Sequence, residues 1–315
     1  MWRLRNDGVG PKNKMITPLF SSMHTHTSFC DGKDDVETMC RAAYEKKMFA
    51  IGFSAHAPVM GKTGIKSSWN LSDDLFDEYV TEVLSAKSRW NGMLNVFLGL
   101  EVDYIKGLRS ALDSDITAIN PDYLIGSVHY VIPANGAEPF TVDGSAEEFE
   151  NGIKNGFNGN AEALMHYYYD AMAEMIAIGG FEILGHADLI KKNCQPDSPD
   201  RLTYTGKRWP EEIEACRQRE IAVCVSETEI TVEINTGGIN RGKTPDVYPS
   251  LSFLRLFNEY NVPVIITSDA HQAKDIDGNY NIALQTLKYA DFKEHLFFTG
   301  KSSGKAVWQK NKLYV

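Results

Sequence analysis

An α/β barrel built on a parallel sheet is the fold class this sequence predicts, on three observations. Seven short β-rich runs recur along the chain, each followed by a polar cluster. Amphipathic, helix-like segments separate most of them, the alternation expected of βαβ units around a parallel sheet. Seven such runs suit a closed or slightly incomplete barrel better than an open sheet. At 315 residues, 43% hydrophobic and 23% charged, the chain has the size and composition of one large globular barrel.

Taken in order, the runs are residues 19–26, 49–56, 94–103, 123–130, 181–188, 231–235 and 262–271. Each ends in groups that bind metals. The first ends in His24-Thr25-His26, with Asp31 just beyond. Alternation along a strand puts both imidazoles on one face, about 6–7 Å apart. The second ends in His56, the third in Glu101-Val102-Asp103, the fourth in Ser127-Val128-His129 and the fifth in His186-Ala187-Asp188. The sixth carries Glu233 and Asn235 on one face, and the seventh ends in Ser268-Asp269-Ala270-His271. In a βα barrel these C-terminal strand ends converge on one face, where such barrels carry their active sites. Six of the eight histidines fall there, which scattered core histidines would not do.

The helical segments are 35–47, 73–89, 162–178, 210–220 and 248–260. Residues 1–15 read as an irregular N-terminal extension to a single barrel domain over 16–315. Residues 134–160 are dense in Gly, Asn and acidic groups and read as a long inserted loop, of the kind that serves as a lid. His166 and His295 lie away from the strand ends and read as surface or structural residues. Asp103 and Asp188 read as groups that orient imidazoles. Glu233 and Asn235 either do the same or close the barrel mouth.

The charge of −10 argues against nucleic acid as the main partner, because phosphate backbones need a clustered basic surface. A small phosphorylated substrate held by a few cations stays open. No apolar run is long enough to span a membrane, and no apolar segment of a signal peptide follows Arg3, Arg5, Lys12 and Lys14. Cys30, Cys40, Cys194, Cys216 and Cys224 are scattered and odd in number, so they read as free thiols of a cytoplasmic protein.

His24, His26, Asp31, His56, Glu101, His129, His186, Asp269 and His271 make nine candidate ligands, more than one ion can use. Two or three divalent ions sharing a bridging carboxylate can use them all, and mixed imidazole and carboxylate donors suit zinc, iron or manganese.

In this order, the His-x-His with trailing Asp, Ser54-Ala55-His56-Ala57-Pro58, Gly99-Leu100-Glu101-Val102-Asp103-Tyr104, Ser127-Val128-His129, Gly185-His186-Ala187-Asp188, Glu233-Ile234-Asn235-Thr236 and Ser268-Asp269-Ala270-His271 resemble the PHP (polymerase and histidinol phosphatase) superfamily. Within it the chain resembles the PHP-type histidinol phosphatases. The resemblance implies a distorted (β/α)7 TIM-like barrel with a trinuclear metal site at the C-terminal strand ends. Carried over, it gives His24, His26, Glu101 and Asp269 to the first metal, Glu101, His129 and His186 to the second, and Asp31, His56 and His271 to the third. Asp31 stands where some members carry histidine. The implied reaction is hydrolysis of L-histidinol phosphate in histidine biosynthesis. Asp269 is expected to handle the proton of the water nucleophile, and His56 or His271 to serve the leaving alkoxide. Arg241, then Lys191 and Lys192, are the expected phosphate-binding cations. The rival readings are a PHP phosphoesterase acting on another small ester or a nucleotide or nucleic-acid diester, and a metal-dependent amidohydrolase. The first, as an exonuclease, calls for a basic channel. The second favours a carboxylated lysine, which no residue here suggests.

Overall fold

The computed structural model describes residues 20–193 and 209–313. The expected extension over 1–15 and Cys194 lie outside the described residues.

The chain opens with β1 (Ser21–Ser22) and α1 (Val36–Glu45). Asp35 caps α1 by accepting the Thr38 N–H at 2.7 Å, and the helix buries Val36, Met39, Cys40 and Ala43. Next come β2 (Ala50–Phe53), a short α2 (Met60–Thr63), α3 (Phe76–Arg89), β3 (Asn95–Asp103), α4 (Ser114–Ala118) and β4 (Tyr123–Ser127). A two-stranded excursion, β5 (Tyr130–Val131) and β6 (Phe140–Thr141), precedes α5 (Ala146–Gly156) and α6 (Ala161–Ile178). The rest is β7 (Ile183–Leu184), α7 (Glu211–Ser226), β8 (Thr231–Asn235), α8 (Gly237–Asn240), α9 (Leu251–Glu259), β9 (Val264–Thr267), α10 (Tyr280–Tyr289), β10 (Glu294–Ser302) and β11 (Lys305–Lys312).

The strands β1-β2-β3-β4-β7-β8-β9 pair in that order, every neighbour parallel. These are the seven expected runs, and they form a distorted (β/α)7 barrel. The distortion has a visible cause at the seam. Lower down, β9 gives its free edge to β10, Leu296 pairing with Ile265. Above that point the segments after β1 and β9 meet in a single parallel bridge, Thr25 to Ala270. His26 N–H donates to the Ala270 carbonyl at 2.9 Å, and Ala270 N–H to the His24 carbonyl at 3.2 Å. Met23, Phe97, Tyr123, Ile125, Ile183, Ile265 and Phe298 pack together between these strands.

Two segments depart from expectation. Residues 134–160 are not a loop: they hold β6 and α5. Ser145 caps α5 by accepting the Glu148 N–H at 3.1 Å, and Phe149 and Ile153 bury its inner face. The surrounding Gly and Asn density hides this two-residue apolar pattern. The antiparallel hairpin β10–β11 was not anticipated either. Its turn places Ser303 (φ 51°) and Gly304 (φ 79°) in the left-handed region, as a primed two-residue hairpin turn requires. Among the described residues no helix is long and apolar enough to cross a membrane.

Candidate metal centre

All nine expected ligands converge at the C-terminal ends of the barrel strands. Their donor atoms fall into four overlapping groups: His24, His26 and Asp269; His24, Glu101 and His186; His56, Glu101 and His129; and His26, Asp31, His56 and His271. Within each group the atoms lie within 4.8 Å of one another.

Glu101, at the end of β3, is the centre of this arrangement and is fully buried. Its Oε2 lies 3.0 Å from His24 Nε2, 3.6 Å from His26 Nε2 and 2.9 Å from His56 Nδ1. Its Oε1 lies 3.0 Å from His186 Nε2 and 3.7 Å from His129 Nε2, and accepts the Ser127 hydroxyl at 2.7 Å. The two oxygens therefore face different sets of imidazoles, as a carboxylate bridging two ions does.

A metal-binding reading passes a test in the structure itself. His26 Nε2 and His56 Nδ1 are buried atoms without an aligned hydrogen bond, although carboxylate oxygens stand 3.2 Å and 2.9 Å away. Buried imidazole nitrogens that stand beside carboxylate oxygens without bonding to them are what ligands of a cation present.

Groups behind the ligands fix their orientation. Glu233 on β8 accepts from His24 Nδ1 at 2.8 Å, from the His186 N–H at 2.8 Å, from Asn235 Nδ2 at 2.9 Å and from the Thr267 hydroxyl at 2.7 Å. Asp103 Oδ1 lies 2.7 Å from His129 Nδ1. Both carboxylates set the tautomer of an imidazole that faces the centre. Asp188 does not match the expectation: it takes the Ser250 N–H at 2.8 Å and the Lys191 ammonium at 3.0 Å, and is bonded to no imidazole among the described residues.

Asp269 has φ 47°, a strained conformation for a residue with a Cβ. Its neighbours hold it there. Arg241 Nη2 donates to Oδ2 at 2.9 Å, Arg241 Nη1 donates to its carbonyl at 2.9 Å, and a Cβ on Gly237 would come within 2.6 Å of Oδ2. Asp31 Oδ2 meets His271 Nε2 at 3.0 Å.

The protonation pattern follows from burial among these charges. Burial opposes the charged form of Glu101, Asp269 and Asp31, but the surrounding imidazoles, and Arg241 at Asp269, hold all three below the usual carboxylate range. Burial and the neighbouring His56 and His271 push His26 down to about 3. His24 goes the other way: Glu233, Glu101 and Asp269 outweigh its burial and raise it. The same contest, won by Asp103 and Glu101, brings His129 up to about 10.

The centre opens into a cavity of about 550 Å³. Of the expected phosphate-binding cations, Arg241 and Lys192 line it, but Lys191 does not. The Lys191 ammonium is committed to Asp188 and to the Val247 carbonyl at 3.0 Å, and lies over the Tyr248 ring. Tyr130 lines the cavity too, and so do Lys66, Lys243, Trp69 and Asp143, which the sequence does not single out because only the fold brings their segments here. The Asp143 carboxyl is held below its ordinary value because His129 and Lys192 outweigh its burial. His166, on α6, pairs weakly with Glu162 at 3.8 Å, and buried His295 stacks on Phe20, so both stay outside the centre as expected.

Comparison with known proteins agrees with this geometry. Residues 22–237 match the family model described as the PHP domain. The histidinol-phosphatase of Bacillus subtilis is 24% identical over 83% of this chain and 97% of its own length. A crystal structure from Listeria monocytogenes, assigned to a histidinol phosphatase, superposes with a TM-score of 0.69 at 25% identity, covering 83% of this chain and 98% of the other. The histidinol phosphate phosphatase of Lactococcus lactis, solved with zinc, L-histidinol and phosphate, has a TM-score of 0.61 at 20% identity, covering 91% of this chain and 98% of the other.

Proposed function

The chain belongs to the PHP domain family, and from that premise we propose that it is a metal-dependent phosphomonoesterase hydrolysing L-histidinol phosphate to L-histidinol and phosphate. The observation that carries this reading is Glu101, whose two oxygens face two sets of imidazoles at the strand ends. The similarity to the Bacillus subtilis histidinol-phosphatase along most of both chains supports the choice of substrate, and that reaction belongs to the histidine biosynthesis expected from the sequence. Free Cys30, Cys40, Cys216 and Cys224 fit a reducing cytoplasm.

Two or three divalent ions, zinc, iron or manganese, would be held by His24, His26, Asp31, His56, Glu101, His129, His186, Asp269 and His271. Bound there, such ions lower the pKa of water towards about 7 and neutralise charge on phosphoryl oxygens. The chain's own groups supply the rest. Glu233 and Asp103 hold His24 and His129 with one nitrogen turned to the centre. Arg241 presents a fixed guanidinium at the cavity wall, where its charge stabilises the extra negative charge of the transition state. Asp269 Oδ1, 3.2 Å from His26 Nε2, faces the ligand groups and takes the proton of the attacking water. His56 and His271 flank Asp31, and one of them would protonate the departing alkoxide.

The test is phosphate release from L-histidinol phosphate against a generic chromogenic monoester, a phosphodiester and a nucleotide. A preference in kcat/KM for histidinol phosphate supports the reading; equal rates on all four would reject it.

A further inference from the structure

The cavity lining holds two chemically different clusters of groups. In one, Arg241 Nη1 lies 3.0 Å from His271 Nδ1 and its Nη2 holds Asp269. In the other, the Trp69 ring packs edge-on to His56 (4.5 Å between ring centres) and His129 (5.3 Å), and stacks on Tyr130 at 5.2 Å with 14° between planes. Tyr130 is fixed by its hydroxyl, which donates to Asn70 Oδ1 at 2.7 Å. Asp143 lines the same cavity just after β6, and among the described residues its carboxylate makes one ion pair, to Lys192 Nζ at 3.7 Å. That is too long for a hydrogen bond, so against the described residues its oxygens keep their accepting capacity. Glu148, the nearby carboxylate in the cavity wall, is already committed to the Thr141 N–H at 3.1 Å and the Thr141 hydroxyl at 3.3 Å.

We infer that the cavity is polarised, Arg241 taking the phosphoryl end and Asp143 binding an ammonium group of the alcohol portion beside the Trp69–Tyr130 wall, so that Asp143 determines specificity. This rests on the phosphomonoesterase reading above and deepens it. A carboxylate with spare acceptors in a partly enclosed site recognises a cation through charge-assisted hydrogen bonds, and rejects an analogue that leaves it unpaired. The aromatic wall offers a flat apolar face to a planar ring. An ester whose ammonium sits on the second carbon from the ester oxygen, with a ring beyond it, presents these features in the right order. Lys192 neutralises Asp143 until that ammonium arrives.

The test compares metal-loaded wild type, Asp143→Asn and Asp143→Glu on L-histidinol phosphate and on the same ester without the amine. Asp143→Asn should raise KM for the amine-bearing ester about 10- to 100-fold while changing the des-amino ester by less than about threefold. Asp143→Glu, which keeps the charge, should recover part of the loss. Equal changes on both esters, or none on either, overturn the assignment of Asp143 while leaving the phosphatase reading intact. Wild type that releases no phosphate from L-histidinol phosphate overturns the phosphatase reading, and this inference with it, before any variant is compared.

Discussion

Replacing Glu233 by Gln probes the centre without touching a ligand. Glu233 is fully buried and accepts four hydrogen bonds, two at each oxygen. Oε2 takes His24 Nδ1 and the Thr267 hydroxyl; Oε1 takes the His186 N–H and Asn235 Nδ2. As placed, all four partners donate, and only the Thr267 hydroxyl can turn to accept, so an amide cannot satisfy them all in either orientation. Its NH2 must face one or two obligate donors, breaking bonds worth about 1–3 kcal/mol each, for a total of roughly 1–6 kcal/mol. If the NH2 faces His24, that ring loses the partner that keeps its proton on Nδ1 and its Nε2 lone pair towards the centre. Loss of such a partner typically lowers metal affinity about 10- to 100-fold. Urea unfolding of the stripped protein measures the first quantity, and competition with a chromogenic chelator the second. Glu233→Gln with wild-type stability and wild-type metal affinity would refute the role assigned to this carboxylate.

Three further outcomes follow from the same geometry. Arg241→Ala should lower kcat/KM about 100-fold or more and weaken inhibition by inorganic phosphate; unchanged phosphate inhibition would remove Arg241 from the phosphoryl end. Gly237→Ala puts a Cβ within 2.6 Å of Oδ2 and 2.7 Å of Cβ of Asp269, a side chain that Arg241 holds in place, and should cut activity at least tenfold with the chain still folded; a fully active variant would show that Asp269 has room to move. In the metal-stripped protein His129 is raised to about 10 by Asp103 and Glu101 against its burial. A raised folded-state pKa gives stability that is complete below about 6.5 and lost as pH climbs through about 10. The melting temperature of the stripped protein should therefore fall over that window, and a flat profile in calorimetry would contradict it.

The metal centre was legible in the sequence because its parts are local: a ligand at the end of a β-rich run is visible without knowing what lies opposite. The same holds for the nine ligands and for Arg241, the residue that follows α8. What escaped depends on partners remote in the chain. Lys191 and Lys192 are indistinguishable as neighbours, yet the backbone turn sends one to Asp188 and the other to the cavity. Asp143 looked like one acidic residue among several in a Gly-rich stretch until β6 and α5 fixed its place. Glu233 carried no mark separating a barrel-mouth carboxylate from one that orients His24. In the β10–β11 hairpin, β10 mixes buried and half-buried residues and β11 half-buried and exposed ones, a weak pattern beside the fully buried strands.

The seam between the first and seventh barrel strands gives the centre a role in the history of each molecule. Asp31 and His271 stand 240 positions apart, and the backbone around them is joined by the Thr25–Ala270 bridge and by the Lys33 N–H, which donates to the His271 carbonyl at 2.7 Å. During synthesis His24, His26 and Asp31 emerge early and remain without Asp269 and His271 until most of the chain has left the ribosome. An ion captured across this gap closes a very long loop, acting as a late staple between the beginning and the end of the barrel. Cells starved of metal should then accumulate full-length chains that open at this seam, with amide exchange fastest at residues 24–26 and 269–271, long before the rest of the sheet loosens.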